Sequence, residues 1–443
     1  MLIALSLALA LSTVPQDPPA PQTAPETTLS DVVSSRYRAP VGETFLVERA
    51  ELSPSGERVA YVAALGNSRR LRVQGLADDL VRSADLRGLD IRDVIWAGDD
   101  HILLTVLDQP SDQVDADNGI FLVLSYNVQA DSWETLLRDE NDQANIGGLR
   151  ASRIPGQPPV LPITFERPAV RRLGVGTRVF LNTITFDGSC RYDLYSIDPA
   201  TGASELEDRV TQQVQGLVVT NEGRPLAVVK GGRLLMSHGA ALVPARATQL
   251  SQGVELLGAG RTDGTVLVRV GPQGAGQIME ISGSRGEVAT PLPTGDILDA
   301  LPLYDDQSGR LLGLEGKGSD GDVEYLFFDP DLARVWPTIS AAFPGDAVSL
   351  ASWSTDLQTL LVYAERVDGA DYHLVDVATL TSRYLGPSWP DAGAGLDRTG
   401  ARAEFDIRRA AAARIEDARI LCRDLRGNQA LVSRGTKARG RAE

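Results

Sequence analysis

The sequence predicts an all-β fold, a seven-bladed β-propeller of four-stranded antiparallel blades, followed by a short tail that is partly helical or disordered. Three observations support this prediction. A strand–turn–strand pattern recurs along the chain, its recurrences are spaced like propeller blades, and long helical periodicity is nearly absent before Asp397. A ring of such blades buries both faces of each sheet against its neighbours.

The first forty residues precede the predicted propeller. Residues 1–14 are predicted to be a signal peptide, because Leu2–Val14 is a continuous run of apolar or small residues that is too short to span a bilayer. We therefore expect the protein to be exported, to the periplasm or out of the cell. Residues 15–40 are predicted to be a linker, since proline is concentrated between Pro15 and Pro25.

Residues 41–388 are predicted to form the propeller. The repeating unit is clearest in Phe45–Ala63 (FLVERAELSPSGERVAYVA), where two alternating strands flank a polar turn. The same pattern recurs in Val94–Val106, Val170–Ile184, Gly216–Val229, Leu256–Val270, Pro302–Leu314 and Leu350–Tyr363. The turns are marked by Gly56, Asp99, Thr177, Gly223, Gly264, Gly309 and Leu357, at spacings of 43, 78, 46, 41, 45 and 48 residues. All but one spacing fit a blade of roughly 40 to 50 residues, and an inserted loop or a long blade explains the exception.

A second hairpin is expected to complete each blade. Four segments have the required order of apolar strand, polar turn and second strand: Gly119–Leu137, Tyr192–Leu206, Glu324–Trp336 and Tyr372–Leu385. Two of the predicted turns, Asp198–Gly202 and Asp329–Asp331, begin with Asp-Pro. In such a turn Asp accepts backbone hydrogen bonds and Pro presets φ.

Several segments carry a family resemblance. They are LSPSGERVAYVA in the first repeat, YLFFDPDL (Tyr325–Leu332), AFPG (Ala342–Gly345), SWS (Ser352–Ser354) and TLLVYAERVDGADYHLVDVAT (Thr359–Thr379). With them, residues 41–386 resemble the propeller of the bacterial dipeptidyl aminopeptidase and acylaminoacyl peptidase branch of the prolyl oligopeptidase family. In that family an α/β-hydrolase domain follows the propeller and carries its Ser nucleophile in a G-x-S-x-G elbow.

No G-x-S-x-G occurs in this sequence. We therefore expect a non-catalytic propeller that resembles the substrate-gating domain of a serine peptidase and lacks the hydrolase domain. Its expected partners are peptides or a hydrolase domain supplied elsewhere. The alternative is a periplasmic, TolB-like scaffold that binds proteins or ligands, and a third option is a lactonase-like propeller hydrolase with a metal cage. The formal net charge of −16 argues against nucleic acid and against an anionic membrane, and no membrane contact is expected after signal removal.

Residues 389–443 are predicted to be a basic tail. From Arg398 onward there are 12 basic and six acidic residues, and part of this stretch has the composition of an Arg/Ala-rich helix. Two explanations remain open. A reading-frame change truncated a longer gene, or the tail is a genuine short extension.

No catalytic residue, cofactor or metal site is predicted. His101 and His373 fall in predicted strands, and His238 follows Ser237 in a predicted turn, so a Ser-His-Asp arrangement is not indicated. The carboxylates of Asp112, Asp115 and Asp117 do not have the spacing of an EF-hand. The cysteines, Cys190 and Cys422, are expected to be free thiols, and Trp96 and Trp353 are expected to pack between sheets.

Overall fold

The computed structural model describes residues 27–28, 45–65, 68–77, 81–86, 89–108, 120–137, 163–164, 169–173, 176–186, 190–210, 214–220, 224–230, 232–239, 241–271, 276–319, 322–366 and 369–389. These residues form seven antiparallel sheets arranged in a ring, which confirms the predicted seven-bladed propeller. The predicted signal peptide, most of the linker and nearly all of the tail lie outside the described residues, so these predictions and the domain boundaries remain predictions.

Strands are numbered in chain order. The short strand β1 (Thr27–Thr28) comes before the first blade. Blade 1 contains β2 (Leu46–Leu52), β3 (Arg58–Leu65), β4 (Ser68–Gly75) and β5 (Val81–Asp85). Blade 2 contains β6 (Asp90–Ala97), β7 (His101–Asp108), β8 (Ile120–Asn127) and β9 (Ser132–Thr135). Blade 3 contains β10 (Ile163–Thr164), β11 (Ala169–Leu173), β12 (Gly176–Phe186), β13 (Cys190–Ile197) and β14 (Ser204–Val210).

The second half of the ring follows the same order. Blade 4 contains β15 (Val214–Val219), β16 (Pro225–Lys230), β17 (Arg233–His238) and β18 (Ala241–Pro244). A 3-10 turn (Thr248–Gln252) leads to blade 5, with β19 (Val254–Ala259), β20 (Val266–Val270), β21 (Gln277–Ser282) and β22 (Val288–Pro291). Blade 6 contains β23 (Leu298–Tyr304), β24 (Leu311–Lys317), β25 (Val323–Phe327) and helix α1 (Pro330–Ala341). Blade 7 contains β26 (Ala347–Trp353), β27 (Thr359–Arg366), β28 (Gly369–Asp376) and β29 (Thr381–Trp389), and β1 pairs with the outer edge of β29.

The seven predicted hairpins are confirmed as a pair of neighbouring strands at the start of each blade. Four of the predicted turn markers share one backbone conformation. Gly56, Gly264, Gly309 and Leu357 have φ values of 73°, 78°, 66° and 59°, in the left-handed region that glycine adopts most readily. The repeat recognised in the sequence therefore corresponds to one recurring turn geometry.

One predicted hairpin is wrong. Glu324–Trp336 contains β25 followed by helix α1, so blade 6 has three strands among the described residues. Asp329 does accept backbone hydrogen bonds, from Asp331 and Leu332, but it does so as the N-cap of α1, with Pro330 at the first helical position. The apolar residues Leu332, Val335 and Ile339 recur at helical spacing and are buried.

The core lies between the blades rather than at one centre. An apolar cluster fills each of the seven interfaces between neighbouring blades, as judged from the described residues. Trp96 is fully buried between blades 1 and 2, and Trp353 packs in the interface of blades 6 and 7, as predicted. Burying a large apolar side chain contributes roughly 1.5–3 kcal/mol, so these interfaces hold the ring together.

The described residues contain no helix of the length and apolar character needed to cross a membrane.

Candidate functional site

The turns between the first and second strands of the blades gather at one end of the ring, which we call the turn end. Adjacent turns are hydrogen-bonded to each other there. The backbone amide of Ser55 in blade 1 donates to Asp99 Oδ1 in blade 2 at 2.9 Å, and Arg58 Nη1 donates to the Asp99 carbonyl oxygen at 3.0 Å. On the other side of blade 1, the amide of Thr355 in blade 7 donates to the Pro54 carbonyl oxygen at 2.8 Å.

The first turn of blade 6 differs from its neighbours because it reaches across the ring. This segment, Asp305–Arg310, is called the blade 6 turn below. Gln307 Nε2 donates to the carbonyl oxygen of Trp96 in blade 2 at 2.7 Å, and Gln307 Oε1 accepts from the amide of Gly98 at 3.2 Å. In a ring of seven, blade 6 is three interfaces away from blade 2 in one direction and four in the other. The side chain of Gln307 therefore bridges opposite sides of the channel mouth.

The blade 6 turn is also held by Arg171 of blade 3. Arg171 Nη1 donates to the Val170 carbonyl oxygen at 2.6 Å and to the Asp306 carbonyl oxygen at 3.3 Å. Burial lowers the pKa of the Arg171 guanidinium, and the charges of Asp306 and Asp305 act in the opposite direction. Arginine is not deprotonated in proteins, so the guanidinium stays charged and is attracted by the charges of Asp306 and Asp305 in the turn.

The conformation of the blade 6 turn is fixed from within. Asp305 Oδ1 accepts hydrogen bonds from both the amide and the hydroxyl of Ser308, each at 2.6 Å. Gly309 closes the turn in the left-handed region, and a Cβ at that position would collide with the Arg171 guanidinium. At the start of the turn, the hydroxyl of the adjacent Tyr304 donates to the Ala259 carbonyl oxygen of blade 5 at 2.6 Å, and burial raises its pKa. The turn is thus a preorganised element.

A second feature of the turn end is a cleft between blades 4 and 5. Its volume is about 440 Å³, which is within the usual range for small-molecule sites. Blade 4 contributes Thr220, Arg224, Pro225, Leu226, Met236, Ser237 and Gly239, and blade 5 contributes Asp263, Gly264, Thr265, Gly283 and Ser284. The walls therefore carry hydroxyl groups and charges of both signs over an apolar floor.

One wall of this cleft is stiffened by a buried carboxylate. Glu280 accepts hydrogen bonds from the side chain of Arg261 at 2.6 and 2.8 Å, from the Arg261 amide at 2.7 Å, and from the hydroxyl of Thr265 at 2.9 Å. Burial alone raises the pKa of Glu280, but these hydrogen bonds outweigh burial and lower it overall. The carboxylate is ionised and holds the first turn of blade 5 in place.

The three histidines lie far apart in the ring and take part in separate contacts. His101 Nε2 is 3.1 Å from Asn127 Nδ2 in blade 2. His238, which lies at the end of β17, places Nδ1 3.1 Å from the Ser284 carbonyl oxygen. His373 in β28 stands edge-on to the rings of Phe343 and Tyr384. His101 and His373 lie in strands, as predicted, whereas the turn predicted for His238 is wrong, because His238 is the last residue of β17 and pairs with Ala241.

Asp112, Asp115 and Asp117 lie outside the described residues, as does Cys422. Among the residues that are described, no group of histidine, cysteine and carboxylate side chains is arranged to hold a metal ion. Sequence reasoning missed Gln307 and Arg171, because the predicted hairpins that contain them carry no sign of partners 211 and 135 positions away in the chain.

Comparisons with known proteins find only distant similarity. The sequence matches no protein-family model and no curated protein. Among solved structures, an oligogalacturonate lyase in complex with manganese is similar at 10% identity and a TM-score of 0.40, over 77% of this chain and 90% of that chain. The acylaminoacyl peptidase of Pyrococcus horikoshii is similar at 12% identity and a TM-score of 0.36, over 71% of this chain and 49% of that chain. TolB from Acinetobacter baumannii is similar at 11% identity and a TM-score of 0.35, over 75% of this chain and 79% of that chain.

The chain thus spans about half the length of the peptidase it matches. It is a seven-bladed propeller similar to the propellers of peptidases and to TolB. Similarity at this level identifies neither a family nor an activity.

Proposed function

We propose that this chain is a non-catalytic propeller that restricts the passage of peptides along its central channel, and that it serves a hydrolase domain which the propeller does not itself provide. The observation that carries the proposal is the blade 6 turn, which spans the channel mouth and bonds to blade 2 through Gln307. A segment held across a channel limits which molecules pass, and this is the action expected of a gating domain.

Two further observations support the proposal. The first and last blades of the ring are joined by the hydrogen bond from the Leu52 amide to Ser352 Oγ and by the apolar packing beside it. Each imidazole has a local contact of its own, His101 with Asn127, His238 with the Ser284 carbonyl oxygen and His373 with the ring of Phe343. The proposal includes export of the protein, as expected from residues 1–14, and no contact with nucleic acid.

Peptide hydrolysis tests the non-catalytic assignment, and peptide binding tests the gating role. The purified chain is expected to leave peptide p-nitroanilides intact, and hydrolysis that a serine-directed inhibitor abolishes would contradict the non-catalytic assignment. Fluorescence anisotropy with labelled short peptides is expected to show binding, whereas a labelled small folded protein is expected not to bind. Failure of every peptide to bind would contradict the gating role.

The cleft between blades 4 and 5 favours a second candidate, a TolB-like scaffold that binds proteins or ligands at its rim. Arg224 and Asp263 place opposite charges on facing blades of this cleft. Stable capture of a protein from a periplasmic extract, lost in Asp263→Lys and retained in Gln307→Ala, would favour the scaffold over the gating propeller.

A further inference from the structure

We propose that Gln307 is a latch that holds the blade 6 turn closed over the turn end of the channel, so that peptides reach the channel from the opposite end. The closure itself is a property of the fold. The consequence for peptide access rests on the proposed function.

The first argument is the position of the contact in the ring. The contact between blade 6 and blade 2 is not one between neighbouring blades, because three blade interfaces lie between them on the shorter side of the ring. Gln307 bonds directly to the end of β6 in blade 2, whereas the hydrogen bonds from Ser55 to Asp99 and from Thr355 to Pro54 join the first turns of adjacent blades. The Gln307 side chain therefore lies over the channel axis.

The second argument is the chemistry of the bond. A primary amide carries a donor and an acceptor on one planar group, as a peptide group does. Gln307 uses both, donating to the Trp96 carbonyl oxygen and accepting from the Gly98 amide. These two backbone groups flank Ala97 at the end of β6, so the side chain pairs with the strand end as another strand would. Only one orientation of the amide satisfies both partners.

The third argument is that the turn has a second anchor on the same far side. Arg171 of blade 3 donates to the Asp306 carbonyl oxygen, and its guanidinium occupies the space beside Gly309 that a larger residue would fill. Blade 3 neighbours blade 2, so both anchors lie opposite blade 6. The blade 6 turn is consequently held at two adjacent points across the channel mouth, by blade 2 and by blade 3. Loss of the Gln307 hydrogen bonds releases the part of the turn that lies over blade 2.

Hydrogen exchange at the Gly98 amide tests the latch in the full chain. In Gln307→Ala this amide loses its acceptor and is expected to exchange up to about tenfold faster than in the wild type. Gln307→Glu, which preserves the shape but lacks the Nε2 donor, is expected to exchange faster as well. The matched control is Gln358→Ala, because Gln358 lies in the first turn of blade 7 and its side chain donates within that turn, to the Asp356 carbonyl oxygen at 3.3 Å. Wild-type exchange at Gly98 in Gln307→Ala, or an equal increase in Gln358→Ala, would overturn the latch.

The association rate of a labelled short peptide tests whether the latch determines by which end peptides enter the channel. Gln307→Ala is expected to raise this rate by opening a second entrance, and Gln358→Ala is expected to leave it unchanged. Faster exchange at Gly98 with an unaltered association rate would overturn the claim that the latch sets the route. If the wild-type chain binds no peptide, the proposed function fails, and hydrogen exchange alone still decides whether the latch exists.

Discussion

The backbone amide of Leu52 donates a hydrogen bond to the hydroxyl of Ser352 at 3.0 Å, across 300 residues of sequence. This bond joins the last residue of β2 in the first blade to β26 in the last blade. It is buried and lies beside an apolar cluster that includes Leu52, Leu361 and Tyr363. The seam of the ring therefore depends on a specific polar contact in addition to apolar packing.

Removal of the seam hydroxyl is expected to destabilise the protein. Ser352→Ala leaves the buried Leu52 amide without its acceptor, and we expect the free energy of unfolding to fall by about 1–3 kcal/mol. The matched control is Ser349→Ala on the same strand. Within the described part of the chain the buried Ser349 hydroxyl has no hydrogen-bond partner, so its removal is expected to cost less than about 0.5 kcal/mol. Urea unfolding measures both changes, and equal losses would contradict the prediction.

Two glycines lie in equivalent turns, and alanine variants at these positions separate the cost of a left-handed backbone from the cost of a steric collision. Gly264 and Gly309 have φ values of 78° and 66°, but a Cβ at Gly264 meets open space whereas one at Gly309 meets the guanidinium of Arg171. We expect Gly264→Ala to cost about 1–2 kcal/mol from the left-handed backbone alone. Gly309→Ala is expected to cost at least about 1 kcal/mol more, because Arg171 must move. Thermal unfolding of the pair would contradict this account if both variants lost the same stability.

His373 is expected to make stability depend on pH. Burial lowers the pKa of its imidazole to about 4, and the nearby charge of Arg366 acts in the same direction. The folded pKa is below the unfolded value of about 6.5, so the unfolded state binds more protons between these values. The stabilisation is thus complete above pH 6.5 and is lost as the pH falls toward 4, by about 3 kcal/mol at most.

The variant His373→Phe isolates this effect, since it keeps an aromatic ring beside Phe343 and Tyr384 but cannot be protonated. Urea unfolding of both proteins between pH 8 and pH 4 is the measurement. The stability difference between wild type and variant is expected to change as the pH falls, to the disadvantage of the wild type. A difference that is constant with pH would refute the prediction.

Loss of the N-cap side chain of α1 is expected to lower the free energy of unfolding more than loss of its exposed neighbour. Asp329 Oδ1 accepts from the amides of Asp331 and Leu332, and Asp329 Oδ2 accepts from Arg310 Nη1 at 2.8 Å. We expect Asp329→Ala to destabilise the protein by about 1–2 kcal/mol. Asp331→Ala, which removes an exposed pair with Arg334 and an acidic side chain from the first turn of the helix, is expected to change stability by less than about 1 kcal/mol. Similar losses in the two variants would argue against capping as the cause.

The sequence by itself determined the number of blades and the first hairpin of each. Alternating apolar residues around a polar turn are a local signal, because side chains on a strand point to opposite faces with a period of two. The left-handed turns at Gly56, Gly264 and Gly309 are also a local signal, because few residues other than glycine adopt that conformation readily.

The tertiary structure decided where the remaining contacts lie. Helix α1 replaces an expected strand: its cap at Asp329 and its apolar spacing are local signals, and its position is fixed because Trp336 packs against Tyr325 and Phe327 and the apolar face is buried in the interface with blade 7. The bridge from Gln307 to Trp96 joins residues 211 positions apart, and no local pattern records such a partner. Propensity acts between neighbours along the chain, whereas contacts across a ring exist only once all seven blades have closed.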